Sequence, residues 1–212
     1  MPPPSLPAHP GLVVLSEETV WNGRFPLQQI RFRHRCFNGQ MSGVRTWELW
    51  RRGRAAAVLP FDPGADAVVL IEQFRLPVLA AGLDPVIVEI PAGLCDPDET
   101  PEQTIRREAV EETSLPLHRL LTIGDYVLSP GGSDERVSLF AGEVRIPATG
   151  ADGIVTHAGL GSEHEDIRVR VWPARTAIEA AFAGRITNAV TAIALFWFAT
   201  QHDTLQTLWN QK

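Results

Sequence analysis

One stretch constrains this chain more than any other: residues 93–115, GLCDPDETPEQTIRREAVEETSL, which places several glutamates on one predicted helix. Thr100 is a typical N-cap residue, Pro101 suits the first helical position, and Gln103 completes a capping box. This start signal predicts a helix over about residues 101–113.

The glutamates of this helix have a spacing that suits metal binding. On a 3.6-residue period Glu108, Glu111 and Glu112 share one face, while Ile105 and Ala109 can pack inward. Like charges at this spacing cost a helix about 0.2–0.5 kcal/mol per pair, a penalty that a divalent cation removes. Oxygen ligands without Cys or His favour magnesium or manganese over zinc. The alternative is a solvated acidic face with arginine partners.

The full pattern resembles the Nudix box, G-x5-E-x7-R-E-U-x-E-E-x-G-U. Gly93 is followed by five residues, Glu99, seven residues and then the segment Arg107–Glu112, with Leu115 at the closing apolar position. Ser114 departs from the pattern, because the family has glycine there. A serine in a left-handed conformation costs about 1 kcal/mol. No metal ligand is lost by this change.

Composition limits the class of protein. The chain has 212 residues, 44% hydrophobic and 21% charged, with a net charge of −6, which predicts a globular protein that does not bind nucleic acid. Cys36 and Cys95 are too few for a disulfide framework or a zinc site and fit a reducing cytoplasm. The N-terminus lacks the pattern of a secretory signal. The apolar run at 189–199 is shorter than the roughly 20 residues that span a membrane, so we expect a cytoplasmic protein without membrane partners.

The chain is expected to contain three parts. Residues 1–10 are proline-rich and predict a disordered arm, and residues 11–53 predict a small antiparallel β-sheet domain. Alternation over 27–37 predicts a half-buried strand whose arginine-bearing face is solvated or, alternatively, meets a phosphate. It is followed by a turn at Asn38-Gly39.

Residues 54–212 predict the main domain. Predicted strands cover 55–60, 67–74, 86–90, 120–127, 136–144 and 168–172, and predicted helices after the acidic one cover 174–183 and 188–201. The Nudix resemblance implies an α/β fold, an α/β/α sandwich around a mixed sheet. Pro130, in the segment SPGGSDER, lies 15 residues beyond the box, which resembles the ADP-ribose pyrophosphatase subfamily.

The resemblance also implies a metal site. The backbone carbonyl of Ala92 and the side chains of Glu108 and Glu112 would bind two or three magnesium or manganese ions, and Glu165 would join them when substrate binds. Glu111 is expected within reach of the same cluster. Two further box residues, Glu99 and Arg107, are expected to brace the loop and the helix.

Substrate contacts are implied in the same way. Arg75 and Glu135 would line the pocket, and the loop Gly131-Gly132-Ser133 would offer backbone amides. The family builds part of its adenine site from the N-terminal sheet of a second subunit, which implies a swapped homodimer. Arg24 and Trp47 occupy the positions where relatives carry an aromatic residue and an arginine.

The implied activity is hydrolysis of ADP-ribose to AMP and ribose 5-phosphate, with Glu163 taking the proton of the attacking water. His164 as the base, and a merely solvated acidic loop, are the alternatives at this segment. Another nucleoside diphosphate derivative, such as a nucleotide sugar or a dinucleotide, is an alternative substrate. A non-catalytic nucleotide-sensing module is the alternative outside enzymes.

Overall fold

A computed structural model describes residues 3–148, 154–158 and 166–210. The chain forms two compact units. The first comprises Met1–Gly53 and Val127–Arg136, and the second comprises Arg54–Tyr126 and Val137–Lys212. No helix in the described residues is long and apolar enough to cross a membrane.

The first unit contains a three-stranded antiparallel sheet in the order β1-β2-β3, with β1 at Leu12–Trp21, β2 at Leu27–His34 and β3 at Arg45–Trp50. Ile30 and Phe32 are buried while Arg31 and Arg33 are exposed, which confirms the predicted alternation. The strand ends at His34, three residues earlier than predicted. The reason is a turn in which Gly39 donates to the carbonyl of residue 36 with a φ of 83°.

In its described residues, the second unit contains an eight-stranded sheet and four helices. Its strands are β4 Arg54–Asp62, β5 Ala67–Phe74, β6 Val86–Glu89, β7 Ala92–Leu94, β8 Leu120–Val127, β9 Arg136–Glu143, β10 Ile154–Ala158 and β11 Ile167–Pro173. Its helices are α1 Leu76–Ala80, α2 Pro101–Thr113, α3 Ala174–Phe182 and α4 Ala189–Asn210. Six strands follow the order β10-β11-β5-β4-β9-β8, while β6 pairs with β5 and β7 with β4.

Helices cover both faces of this sheet. Successive side chains of a strand point to opposite faces, so Val58 and Phe61 of β4 point opposite ways. Val58 belongs to an apolar cluster with Ile105 and Ala109 of α2, whereas the ring of Phe61 lies 4.9 Å from that of Phe198 in α4. The predicted α/β/α sandwich with a preceding antiparallel sheet is confirmed.

Four features were not predicted from the sequence. α1 has only five residues, β7 only three, and β10 is a short strand next to β11, so none carries a long periodic pattern. α4 continues beyond Gln201, the predicted end, to Asn210. Leu205 and Trp209 are buried one turn apart on this extension, so their spacing was a usable signal.

Both cysteines are free.

Candidate active site

The acidic helix begins and ends as predicted. The Thr100 hydroxyl accepts from the Gln103 backbone N–H over 3.2 Å, and the Gln103 side chain accepts from the Thr100 backbone N–H over 2.8 Å. Ile105 and Ala109 are fully buried beneath the helix. Ser114 ends it in the left-handed conformation, with φ 59° and ψ 18°, so the residue that replaces glycine keeps the glycine-like backbone.

Two carboxylates of α2 reach the backbone at the start of the box. The buried Glu112 accepts a hydrogen bond through Oε2 from the Ala92 N–H over 3.0 Å. A Cβ atom placed on Gly93 would lie 1.9 Å from Oε1 of Glu108, so only glycine leaves room for that carboxylate. The chain therefore brings Glu108 and Glu112 together at residues 92–93.

Arg107 connects the other box residues. Its Nη1 donates to Glu108 Oε1 over 2.7 Å and to Glu111 Oε2 over 3.0 Å. Its Nε and Nη2 donate to the two oxygens of Glu99 over 3.1 and 3.0 Å. These hydrogen bonds, with smaller help from the Thr104 hydroxyl, lower the pKa of Glu99 to about 2 and raise the pKa of Arg107 above its usual range. The loop that carries Glu99 is thus tied to the helix by a fixed positive charge.

The geometry permits a test of metal fit. Within the described ranges, no group of three or more His, Cys, Asp or Glu residues is close enough to hold an ion, so Glu108, Glu111 and Glu112 do not form such a group by themselves. Glu111 and Glu108 both accept hydrogen bonds from Nη1 of Arg107. The Glu108 and Glu112 carboxylates and the carbonyl of Ala92 fit a hard cation, because all three are oxygen ligands and both carboxylates approach the backbone at residues 92–93. These three groups are the ones that would hold the ion.

Arg75 lies at the end of β5 and pairs with a residue that the sequence analysis did not single out. Its Nε donates to Oε2 of Glu89 over 2.8 Å. Glu89 is buried in the apolar strand β6. The sequence did offer a signal for this pair: Glu89 is the single charged residue in the apolar run VIVEI. A carboxylate buried in such a strand normally has a specific partner.

The first unit brings the loop at 131–133 to strand β3. The indole N–H of Trp47 donates to the Gly131 carbonyl over 2.9 Å, and the backbone N–H of Trp50 donates to the Gly132 carbonyl over 2.8 Å. A depression of about 420 Å³ is lined in part by Trp47, Glu48, Gly131 and Gly132. Ser133 pairs with Trp50 as an isolated bridge. The loop and the tryptophan predicted to contact substrate are therefore neighbours.

Glu135 and Arg24 have different neighbours within the same unit. Glu135 accepts from Nη2 of Arg52 over 3.1 Å, and the Arg52 guanidinium lies 4.1 Å from the centre of the Phe25 ring and 4.8 Å from that of Trp50. The Arg24 guanidinium lies 5.5 Å from the same Phe25 ring. Both arginines thus make cation–π contacts with Phe25.

The remaining candidates, Glu163, His164 and Glu165, lie outside the described residues.

The chain is similar to known proteins over most of its length. The model of the NUDIX domain matches residues 51–189. The ADP-ribose pyrophosphatase of Escherichia coli strain K12 is 43% identical over 196 residues, which cover 92% of this chain and 91% of that protein. The GDP-mannose pyrophosphatase of Salmonella arizonae is 31% identical over 192 residues, covering 90% of this chain and 96% of that protein. The crystal structure of an ADP compounds hydrolase shares the fold, with a TM-score of 0.67, 18% identity, and coverage of 96% of this chain and 98% of that one.

Proposed function

The chain belongs to the NUDIX family, and we propose that it hydrolyses the pyrophosphate bond of ADP-ribose, giving AMP and ribose 5-phosphate. The support from comparison is the 43% identity to an ADP-ribose pyrophosphatase over nearly the full length of both proteins. The GDP-mannose pyrophosphatase is less similar, at 31% identity.

One structural observation carries the proposal: the carboxylates of Glu108 and Glu112 meet at the Ala92–Gly93 backbone, where the family's box begins. These groups would hold magnesium, with manganese as a substitute and two or three ions per site. Divalent cations supply charge neutralisation of the pyrophosphate and a lower pKa of the attacking water. Glu111 would lie within reach of the same cluster, because Nη1 of Arg107 donates to both Glu111 and Glu108.

The proposed reaction adds one water across the phosphoanhydride bond. Its oxygen attacks one phosphorus, the bridging P–O bond breaks, and the bridging oxygen leaves with the other phosphate. We assign Glu163 as the group that accepts the water proton and Glu165 as the ligand that joins Glu108 and Glu112 when substrate binds. His164 is the competing base.

Substrate contacts are proposed for each unit separately. In the second unit, Arg75 would donate to the pyrophosphate, since its side chain is 42% exposed and guanidinium suits phosphate oxygens. In the first unit, the loop Gly131-Gly132-Ser133 and Glu135 would also contact substrate. Trp47 and Arg24 would stack on the adenine, because each offers a flat group that binds a purine face.

A swapped homodimer is part of the proposal. The N-terminal sheet exposes large apolar side chains on strand β1 and its neighbours, among them Val13, Leu15, Trp21 and Trp50. A sheet of some 40 residues is too small to bury a sizeable core alone. Docking on a second subunit would cover these side chains. Light scattering that gives a fully active monomer at micromolar concentration would contradict this assembly.

The experiment that tests the function is a phosphate-release assay coupled to phosphatase, because AMP and ribose 5-phosphate are phosphatase substrates and the intact pyrophosphate is not. The panel contains ADP-ribose, GDP-mannose, ADP-glucose and a dinucleotide, each with magnesium and with chelator. We expect ADP-ribose to give the highest kcat/KM and the chelator to abolish release.

The second candidate is the same chemistry on another nucleoside diphosphate derivative, favoured by the similarity to the GDP-mannose pyrophosphatase. A higher kcat/KM for GDP-mannose than for ADP-ribose would select it. Binding of ADP-ribose without phosphate release from any member of the panel would select a nucleotide-sensing module instead.

A further inference from the structure

Glu89 is a buried carboxylate that accepts hydrogen bonds from three side chains. Its Oε2 accepts from Gln73 Nε2 over 3.0 Å and from Arg75 Nε over 2.8 Å, and its Oε1 accepts from Asn188 Nδ2 over 2.7 Å. An ionised carboxylate is costly to bury unless it is paired and hydrogen-bonded. Three donors from β5 and from the start of α4 therefore hold this carboxylate in one place.

The Arg75 guanidinium is anchored through its Nε atom. Its side chain is 42% exposed, against 10% for its partner Glu89. Within the described part of the chain, Nε is the only nitrogen of this guanidinium that makes a hydrogen bond, and the two Nη nitrogens make none. A guanidinium anchored at Nε keeps its outer N–H groups for an anion, and their fork matches two phosphate oxygens.

The anchor lies close in the chain to Ala92, whose carbonyl is one of the proposed metal ligands. Glu89 precedes Ala92 by three residues. Between them, the Ile90 N–H donates to the Thr191 hydroxyl over 3.0 Å, and the Thr191 N–H donates to Oδ1 of Asn188 over 2.9 Å. The start of α4 thus holds both Glu89 and the backbone that leads to Ala92.

We propose that Glu89 is a positioning residue for substrate binding: it holds the Arg75 guanidinium in the orientation that receives the pyrophosphate. The inference rests on the proposed function. A free arginine side chain samples many rotamers and loses that freedom on binding, so a preset guanidinium binds phosphate more tightly. Glu89 itself does not touch substrate.

The test is Glu89→Gln, which keeps the size of the side chain but removes the charge that holds Arg75. We expect KM for ADP-ribose to rise about tenfold with kcat within about twofold, because loss of uniform binding raises KM alone. The affinity for α,β-methylene ADP-ribose, which cannot be hydrolysed, should fall by the same factor. Glu143→Gln is the matched control, since Glu143 is also buried and paired with arginines, Arg119 and Arg145, outside the site. Its KM should stay at the wild-type value.

A double-mutant cycle separates positioning from general support of the fold. Arg75→Ala should raise KM by at least as much as Glu89→Gln, and the double variant should be no worse than Arg75→Ala alone. Effects that multiply would overturn the inference, as would an unchanged KM in Glu89→Gln. If Glu89→Gln does not fold, Glu89→Asp carries the same cycle, because its shorter carboxylate withdraws from Arg75.

Turnover and analogue binding by the wild-type chain distinguish failure of the proposed function from failure of the role proposed for Glu89. No turnover and no analogue binding by the wild-type chain would contradict the proposed function and this inference with it. Normal wild-type turnover with multiplying effects in the cycle would contradict the role of Glu89 only.

Discussion

The carboxylate of Glu112 accepts a hydrogen bond from the backbone N–H of Ala92 over 3.0 Å, although 20 residues separate them in the chain. This contact joins the last turn of α2 to Ala92, the first residue of β7, which directly precedes Gly93 at the start of the box. It also places the Glu112 carboxylate at the residue whose carbonyl would share its cation, and oxygen ligands of this kind are the ones that a hard metal ion prefers.

Glu112→Gln should abolish magnesium-dependent turnover while the protein stays folded. The amide oxygen can still accept from Ala92, but the negative charge needed for the cation is gone. Turnover with magnesium and thermal unfolding are the measurements. Glu102→Gln, an exposed glutamate on the same helix, is the control and should be fully active. Retention of more than about a tenth of the wild-type rate by Glu112→Gln would remove Glu112 from the metal site.

Gly93→Ala should weaken metal binding indirectly, by displacing the Glu108 side chain. The added Cβ would meet Glu108 Oε1 at 1.9 Å and Cγ at 2.5 Å, so the Glu108 side chain must move. We expect the magnesium concentration for half-maximal turnover to rise at least about tenfold. Gly43→Ala is the control, because a Cβ there meets nothing within 4 Å. Equal magnesium requirements in the two variants would show that Glu108 is not placed by Gly93.

The pair Glu99–Arg107 should make stability depend on pH at the acidic end. The Arg107 hydrogen bonds lower the pKa of Glu99 from 4.5 to about 2 in the folded protein. Because the folded state binds this proton less readily, the stabilisation is complete above pH 4.5 and is lost as pH falls towards 2. The difference in free energy of unfolding between wild type and Glu99→Gln should therefore shrink over that window. A constant difference from pH 6 to pH 2 would contradict the assignment.

Ser114→Gly should stabilise the protein. Ser114 has φ 59°, a conformation that costs a non-glycine residue about 1 kcal/mol, partly offset by the greater freedom of glycine in the unfolded chain. We expect a net gain of about 0.5 kcal/mol in the free energy of unfolding, measured by urea denaturation, with unchanged turnover. Loss of stability would mean that the serine side chain makes a compensating contact.

The sequence was most informative where local chemistry and the motif agree. Pro101, the Thr100 capping box and the inward Ile105 predicted α2 at its observed limits, and Ser114 keeps the left-handed backbone that suits the glycine of the box. β7 was missed because three residues carry no period, and its strand character depends on pairing with β4. The partner of Arg75 is set by a tertiary contact, because Glu89 arrives from β6 and no spacing along the chain encodes that pairing.

The most direct test of the account is a ³¹P NMR time course of ADP-ribose with the wild-type protein and magnesium. We expect the two coupled pyrophosphate signals to disappear together while AMP and ribose 5-phosphate signals grow at equal rates, and we expect chelator to stop both changes. Persistence of the pyrophosphate signals, or formation of ADP in place of AMP, would contradict it.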